Sequence, residues 1–178
     1  GKSRALMFIA LDKVMKQGLE KVIIAVPEMS IGGSFKDTEL MKFGFFADWH
    51  VDPEYNLCTP GSDGKVDQVK AFMKDKGAHY LICTHATFRF AYEKIADPKL
   101  FNKTLIAIDE FHHTSAEEGN ILGGIIDDLM DRSTAHIVAM TGSYFRGDAV
   151  PILRPEDEAK FTQVTYTYYE QLNGYKYL

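Results

Sequence analysis

Four short apolar runs constrain this chain more than any other feature: "KVIIAVP" (21–27), "HYLICTH" (79–85), "TLIAIDE" (104–110) and "HIVAMTG" (136–142). Each has a core of four or five residues rich in Ile, Val and Leu, and none alternates polar with apolar. That is the pattern of strands buried on both faces, as in a parallel sheet covered by helices. Helical patterns lie between the runs. The segment 3–18 stops at Gly18, a residue suited to a helix C-terminus. The segment 63–77 puts Val66, Val69, Phe72 and Met73 on one face and stops at Gly77. The segment 114–132 has Ser115 as its N-cap and Glu117 and Glu118 in the first turn, although its glycines weigh against one continuous helix. Strands alternating with helices predict an α/β domain with a mostly parallel sheet. In such sheets ligands bind at the carboxyl ends of the strands. The stretch 42–64 is aromatic-rich and punctuated by Pro53, Pro60 and Gly61, and reads as an excursion containing a short hairpin or edge strand.

The residues that follow the apolar runs carry the chemistry. In "LIAIDEFHH" a buried strand delivers Asp109 and Glu110 side by side at its carboxyl end. Two carboxylates there are costly unless something uses them. Nucleotide hydrolysis needs such a pair: an aspartate to hold Mg²⁺ and a glutamate to orient or deprotonate the attacking water. The competing reading is a pair that caps the next helix. Asp109 to His112 fit D-E-x-H, and 32 residues after Asp109 another buried strand ends in Thr141, Gly142 and Ser143. At the other end Gly1, Lys2 and Ser3 open an apolar helix, where the last letters of a G-x-x-x-x-G-K-[ST] phosphate loop belong. A helix N-terminus there favours phosphate through its dipole and its N–H groups.

These motifs, in this order and over almost the whole chain, resemble the first motor domain of the DEAD/DEAH-type (DExH-box) helicases and translocases of superfamily two. "GKS" resembles the end of motif I, "AVPEMSI" (25–31) motif Ia, "CTHATF" (83–88) motif Ib, "DEFH" motif II and "TGS" motif III. The resemblance implies a three-layer P-loop NTPase fold of the RecA-like type, with its first strand and the front of the P-loop lying before residue 1. It implies ATP and Mg²⁺ as cofactors, with Gly1, Lys2 and Ser3 on the phosphates and Ser3 and Asp109 on the metal. Glu110 is then the base. His112, Thr141, Gly142 and Ser143 couple the nucleotide to the grip on nucleic acid, and Pro27, Thr84 and Thr87 contact its backbone. Hydroxyl and backbone N–H groups bind phosphates without basic side chains, which suits a net charge of -5.

The same resemblance divides the chain into a motor domain, 1–161, and a linker or strand, 162–178, leading to a second RecA-like domain of the same polypeptide. That second domain supplies the arginines that stabilise charge on the transferring phosphate, so residues 1–178 alone are expected to be a poor ATPase. DNA is the expected track rather than RNA. The rivals are a terminase-type DNA-packaging ATPase and a nucleotide-gated interaction module without turnover.

The remaining features carry blander expectations. Cys58 and Cys83 are far apart in sequence and suggest a reducing compartment without a disulfide framework. No apolar run approaches the roughly 18–20 residues of a membrane span. A cytoplasmic protein is therefore expected, and the resemblance implies a bacterial or phage origin. A zinc site at His112, His113 and Asp109 is disfavoured, because structural zinc wants four ligands and no cysteine pair is near. His79, His85 and His136 flank strands and read as packing or cap residues. Trp49, with Phe43, Phe45 and Phe46, reads as packing rather than a nucleic-acid wedge. The segment 141–161 holds Arg146 and Asp148, read either as a nucleotide sensor or as an ion-paired loop. The segment 164–178 holds five of the nine tyrosines, read as a strand and linker that pack on a further domain.

Overall fold

The computed structural model describes residues 2–60, 64–110 and 116–140. The expectations for Gly1, His112, His113, Ser115, Thr141, Gly142, Ser143, the segment 141–161, the tyrosine-rich end and the 161/162 boundary fall outside those residues.

All four apolar runs form strands: β1 (Lys21–Val26), β2 (Tyr80–Thr84), β3 (Thr104–Ile108) and β4 (His136–Ala139). They make one sheet in the order β2-β1-β3-β4. Every pairing is parallel, with Ala25 opposite both Cys83 and Ile108, and Ile108 opposite Ala139. The four helices are α1 (Lys2–Lys16), α2 (Lys65–Lys74), α3 (His85–Ile95) and α4 (Ala116–Arg132).

Side chains alternate across the pleat, and each face packs against its own layer. Ile23, Ala25, Leu81, Cys83, Ile106 and Ile108 face Val69 and Phe72 of α2, Phe88 and Ala91 of α3, and Ile126 and Leu129 of α4. Val22, Ile24, Val26, Ile82, Leu105 and Ala107 face Leu6, Met7, Ala10 and Leu11 of α1, together with Phe35, Leu40 and Trp49. Three layers result, and both faces are apolar because both are covered. That is why the strand runs do not alternate.

α4 is continuous through Gly123 and Gly124, against the expected break. Glycine costs a helix about 1 kcal/mol per residue. Burial of Leu122, Ile125, Ile126 and Leu129 against the sheet outweighs that cost. α3 has no counterpart among the helical patterns of the sequence, where "CTHATF" stands out only for its threonines. The helix starts because the Thr84 hydroxyl accepts from the Thr87 N–H at 3.2 Å, an N-cap. Gly18, at φ +77°, takes the left-handed turn that ends α1.

Among its described residues the 42–64 excursion forms neither a hairpin nor an edge strand; together with the segment before it, it makes 3-10 turns at Met29–Phe35, Leu40–Phe43 and Pro53–Tyr55. Thr38 and Trp49 exchange both backbone hydrogen bonds, at 3.0 and 2.9 Å, but pairing ends there because the Leu40 N–H folds back onto the Thr38 carbonyl at 3.0 Å. Trp49 is 1% exposed and its Nε1 donates to the Phe35 carbonyl at 2.9 Å, so it is a core residue as expected. Phe45 packs between Phe8 and Phe46, while Phe43 lies exposed beneath Arg4. A single parallel bridge, Asn56 to Ile82, covers part of the outer edge of β2.

Two polar staples hold the periphery. Lys21 is buried, and its ammonium donates to the Asp75 and Ala78 carbonyls just past α2, each at 2.6 Å. Burial pushes its pKa down, opposed by Asp75. Asp37 accepts from the Val51 N–H at 3.0 Å and lies 2.6 Å from His50 Nδ1.

A Cβ on Gly32 would lie 2.4 Å from the Cys58 Cβ. Gly32→Ala should therefore destabilise the fold by about 1–3 kcal/mol, read from chemical denaturation. The hydrogen bond to Asp37 holds the His50 pKa above 6.5. The stabilisation from protonated His50 is thus full below pH 6.5 and is lost as pH rises through the raised value. It should be small, because the pair is exposed. In a proton NMR titration the His50 ring should titrate above the ordinary histidine range, and Asp37→Asn should bring it back.

Candidate functional site

One line of register defines the carboxyl edge of the sheet. Cys83, Ala25, Ile108 and Ala139 sit abreast on β2, β1, β3 and β4. Thr84, Pro27, Asp109 and Glu110 lie within two residues beyond that line. Neighbouring strands are about 4.8 Å apart, so Thr84 on β2 and Asp109 after β3 are about 10 Å apart across β1. α1 joins the same edge. Its C-terminal end leads through Leu19 to the amino end of β1, where the Glu20 N–H donates to the Lys103 carbonyl at 2.8 Å. Fifteen helical residues span about 22 Å, close to the length of a six-residue strand. The first turn of α1, with Lys2 and Ser3, therefore points back to the carboxyl edge.

Asp109 is held on both sides. Its N–H donates to the Ala25 carbonyl at 2.9 Å, continuing the ladder one residue past β3. Its carbonyl accepts from His85 Nε2 at 2.8 Å. The residue as a whole is only 4% exposed. Glu110 then turns out of the strand at φ +51°, left-handed for a residue with a Cβ. That conformation costs about 1–2 kcal/mol. Such strain persists where the surroundings over-determine it, commonly at functional sites. The two pinning hydrogen bonds on Asp109 are that over-determination. The backbone that carries the two carboxylates is thus held by the ladder and the histidine as it enters the turn.

Among the described residues no group of three or more His, Cys, Asp or Glu side chains forms a metal cage. Mg²⁺ does not require one: it is commonly bound by one or two carboxylates plus substrate phosphates. Asp109, buried, and Ser3, in the first turn of α1, both offer oxygen donors at the carboxyl edge. Ser3 is half-buried in that turn.

The threonines have a local task. The Thr84 hydroxyl caps α3 and also donates to Thr87 Oγ1 at 3.1 Å. In that pair the Thr87 hydroxyl acts as acceptor. Pro27 is half-buried immediately past β1. His79 contacts the Glu20 carbonyl at 2.8 Å, and His136 contacts Lys13 Nζ at 3.1 Å, both at the opposite edge of the sheet. His85 differs from these two histidines. Sequence reasoning places it with the packing residues, yet it bonds the backbone of Asp109. The available signal was its position, first after β2 at the ligand-binding edge.

Neither thiol is poised as a nucleophile. Burial pushes the Cys58 pKa up to about 11, opposed by Lys65, and raises that of the fully buried Cys83 further. No described helix is long and apolar enough to cross a membrane.

Comparison with known proteins adds one relative. The chain is 60% identical over all 178 residues to a protein of Bacillus subtilis (strain 168) named "Putative ATP-dependent helicase YeeB". It spans 29% of that protein's length. No protein-family model matches the chain, and no solved structure matches it significantly.

With its pKa near 11, Cys58 should carry about 100-fold less thiolate at pH 8 than free cysteine. Ellman's reagent should accordingly react with the folded protein about 100-fold more slowly than with free cysteine. Rapid labelling of one equivalent of thiol in native protein would contradict this.

Proposed function

We propose that this chain is the first RecA-like motor domain of a superfamily two DExH-type helicase or translocase, which couples Mg²⁺-dependent ATP hydrolysis to movement on nucleic acid, DNA rather than RNA. The observation that carries the reading is the Asp109–Glu110 pair, pinned through Asp109 and turned at Glu110 on the carboxyl edge of a parallel sheet. The helicase name of its Bacillus subtilis relative supports it. In this reading residues 1–161 are the ATP-binding domain, and 162–178 lead to a second motor domain of the same polypeptide.

Bound Mg-ATP supplies an electrophilic γ-phosphorus with its charge partly neutralised. Gly1, Lys2 and Ser3 would hold the phosphates, Lys2 and Ser3 from the first turn of α1, where N–H groups and the helix dipole favour anions. Ser3 and Asp109 would hold Mg²⁺, Asp109 from a backbone anchored to β1 through its N–H. Glu110 accepts one proton from the water whose oxygen bonds to γ-phosphorus as the bridging P–O bond to ADP breaks. His112 with Thr141, Gly142 and Ser143 relays the nucleotide state.

On the nucleic-acid side, Pro27, Thr84 and Thr87 line the same edge. With the Thr84 hydroxyl engaged in the α3 cap, contact to the phosphodiester falls to Thr87, to backbone N–H groups and to the loop after Pro27.

Glu110→Gln in the full-length protein should lower ATP turnover by at least about 100-fold, the usual contribution of a general base. Binding of a fluorescent ATP analogue should be retained. Turnover equal to wild type would remove Glu110 from the role of base.

A further inference from the structure

His85 links two parts of the edge that the proposed function keeps separate. It is the first residue of α3, one residue from Thr84 and two from Thr87. His85 is 9% exposed, and its ring reaches from the end of β2 to the end of β3. Its target is the carbonyl of Asp109, and that carbonyl belongs to the peptide whose N–H is on Glu110. Because a carbonyl only accepts, Nε2 carries the proton in this contact.

The bond sits where the chain leaves the sheet. Up to Asp109 the chain is held by the β-ladder, through its N–H to Ala25. Beyond it, Glu110 adopts a left-handed conformation that a glutamate does not favour. Rotation of the Asp109–Glu110 peptide would relieve that conformation and re-aim both carboxylates. The His85 donor opposes this rotation.

We infer that His85 is a positioning residue: its Nε2–H holds the Asp109–Glu110 peptide so that the carboxylate pair keeps its orientation and moves with the N-terminal turn of α3. The inference rests on the proposed roles of Asp109 and Glu110. A shift of α3 by a phosphodiester at Thr87 is then transmitted to the base through one hydrogen bond. This route does not involve His112 or the 141–143 segment. Groups that orient the ligands of a metal site are commonly worth 10–100-fold in activity when removed.

The test compares two amides that differ in reach, in the full-length protein. The Gln side chain places an N–H near the Nε2 position of His85, whereas Asn stops one methylene short. His85→Leu is a second variant without the donor. The melting temperature is measured for each. His85→Asn and His85→Leu should lower kcat for ATP about tenfold or more, with KM for ATP changed less than about threefold. His85→Gln should stay within about threefold of wild type. Without nucleotide, hydrogen–deuterium exchange of the Glu110 amide should speed up relative to wild type in the Asn and Leu variants and match wild type in Gln. Wild-type kcat and exchange in the donor-less variants overturn the inference, as does a Gln variant as impaired as Asn. A wild-type protein with no ATP turnover, but with Glu110 exchange responding as expected, defeats the catalytic reading while retaining the hold of His85 on the peptide.

Discussion

The backbone ladder between β1 and β3 runs through the middle of the molecule, with neither strand exposed on either face. Water cannot satisfy their peptide groups there, so each must find a partner within the sheet. Parallel pairing cannot be closed by a short turn, so it forces long crossovers, and the helices of those crossovers cover the faces. α3 and α4 lie on one side and α1 on the other, with their apolar stripes against the same strands. Register across the sheet follows from this double burial. A one-residue slip would exchange the whole Ile23–Ala25 face with the Val22–Ile24–Val26 face.

The candidate site is the place where that ladder runs out. Asp109 keeps one foot in it, through the Ala25 carbonyl, and gives its own carbonyl to His85. The acidic pair therefore does not sit on a flexible loop. It stands on the last rung of the most buried part of the sheet, and the turn at Glu110 departs from a fixed point. In the proposed roles of metal ligand and base, the pair would need that rigidity, since small displacements of catalytic groups are costly. The net stability contributed by the His85 hydrogen bond is only about 1 kcal/mol. Its value lies in direction rather than in strength.

Much of the fold was legible from particular residues. The Ile- and Val-rich runs located all four strands to within two or three residues. An unbroken apolar run of four or five residues fits a strand buried on both faces and is too brief for a buried helix. Gly18 marked the end of α1, and Val69, Phe72 and Met73 marked the buried face of α2. α3 was harder to see, because it begins immediately at the end of β2 with no loop between them. Its start depends on a hydroxyl cap that uses the very threonines whose pattern suggests ligand contacts. The 42–64 excursion misled because aromatic residues favour strands intrinsically. Trp49 was instead claimed by the core and by the Phe35 carbonyl, which left a single rung of pairing.

The Asp109–Glu110 pair was also visible in sequence, since two carboxylates after an apolar strand are conspicuous. The manner of its support was not. Sequence determined which residues must be buried, hence the parallel sheet, the helices around it and the edge to which the acidic pair is delivered. Those outcomes rest on local periodicity and on the cost of exposing apolar surface. Only the tertiary structure decided that His85, 24 residues away, holds the Asp109 carbonyl, that Thr84 is occupied by a helix cap and that Glu110 turns left-handed. The first depends on strands distant in the chain lying about 5–10 Å apart, a proximity that local sequence does not encode; the other two are local geometries whose letters fit more than one conformation.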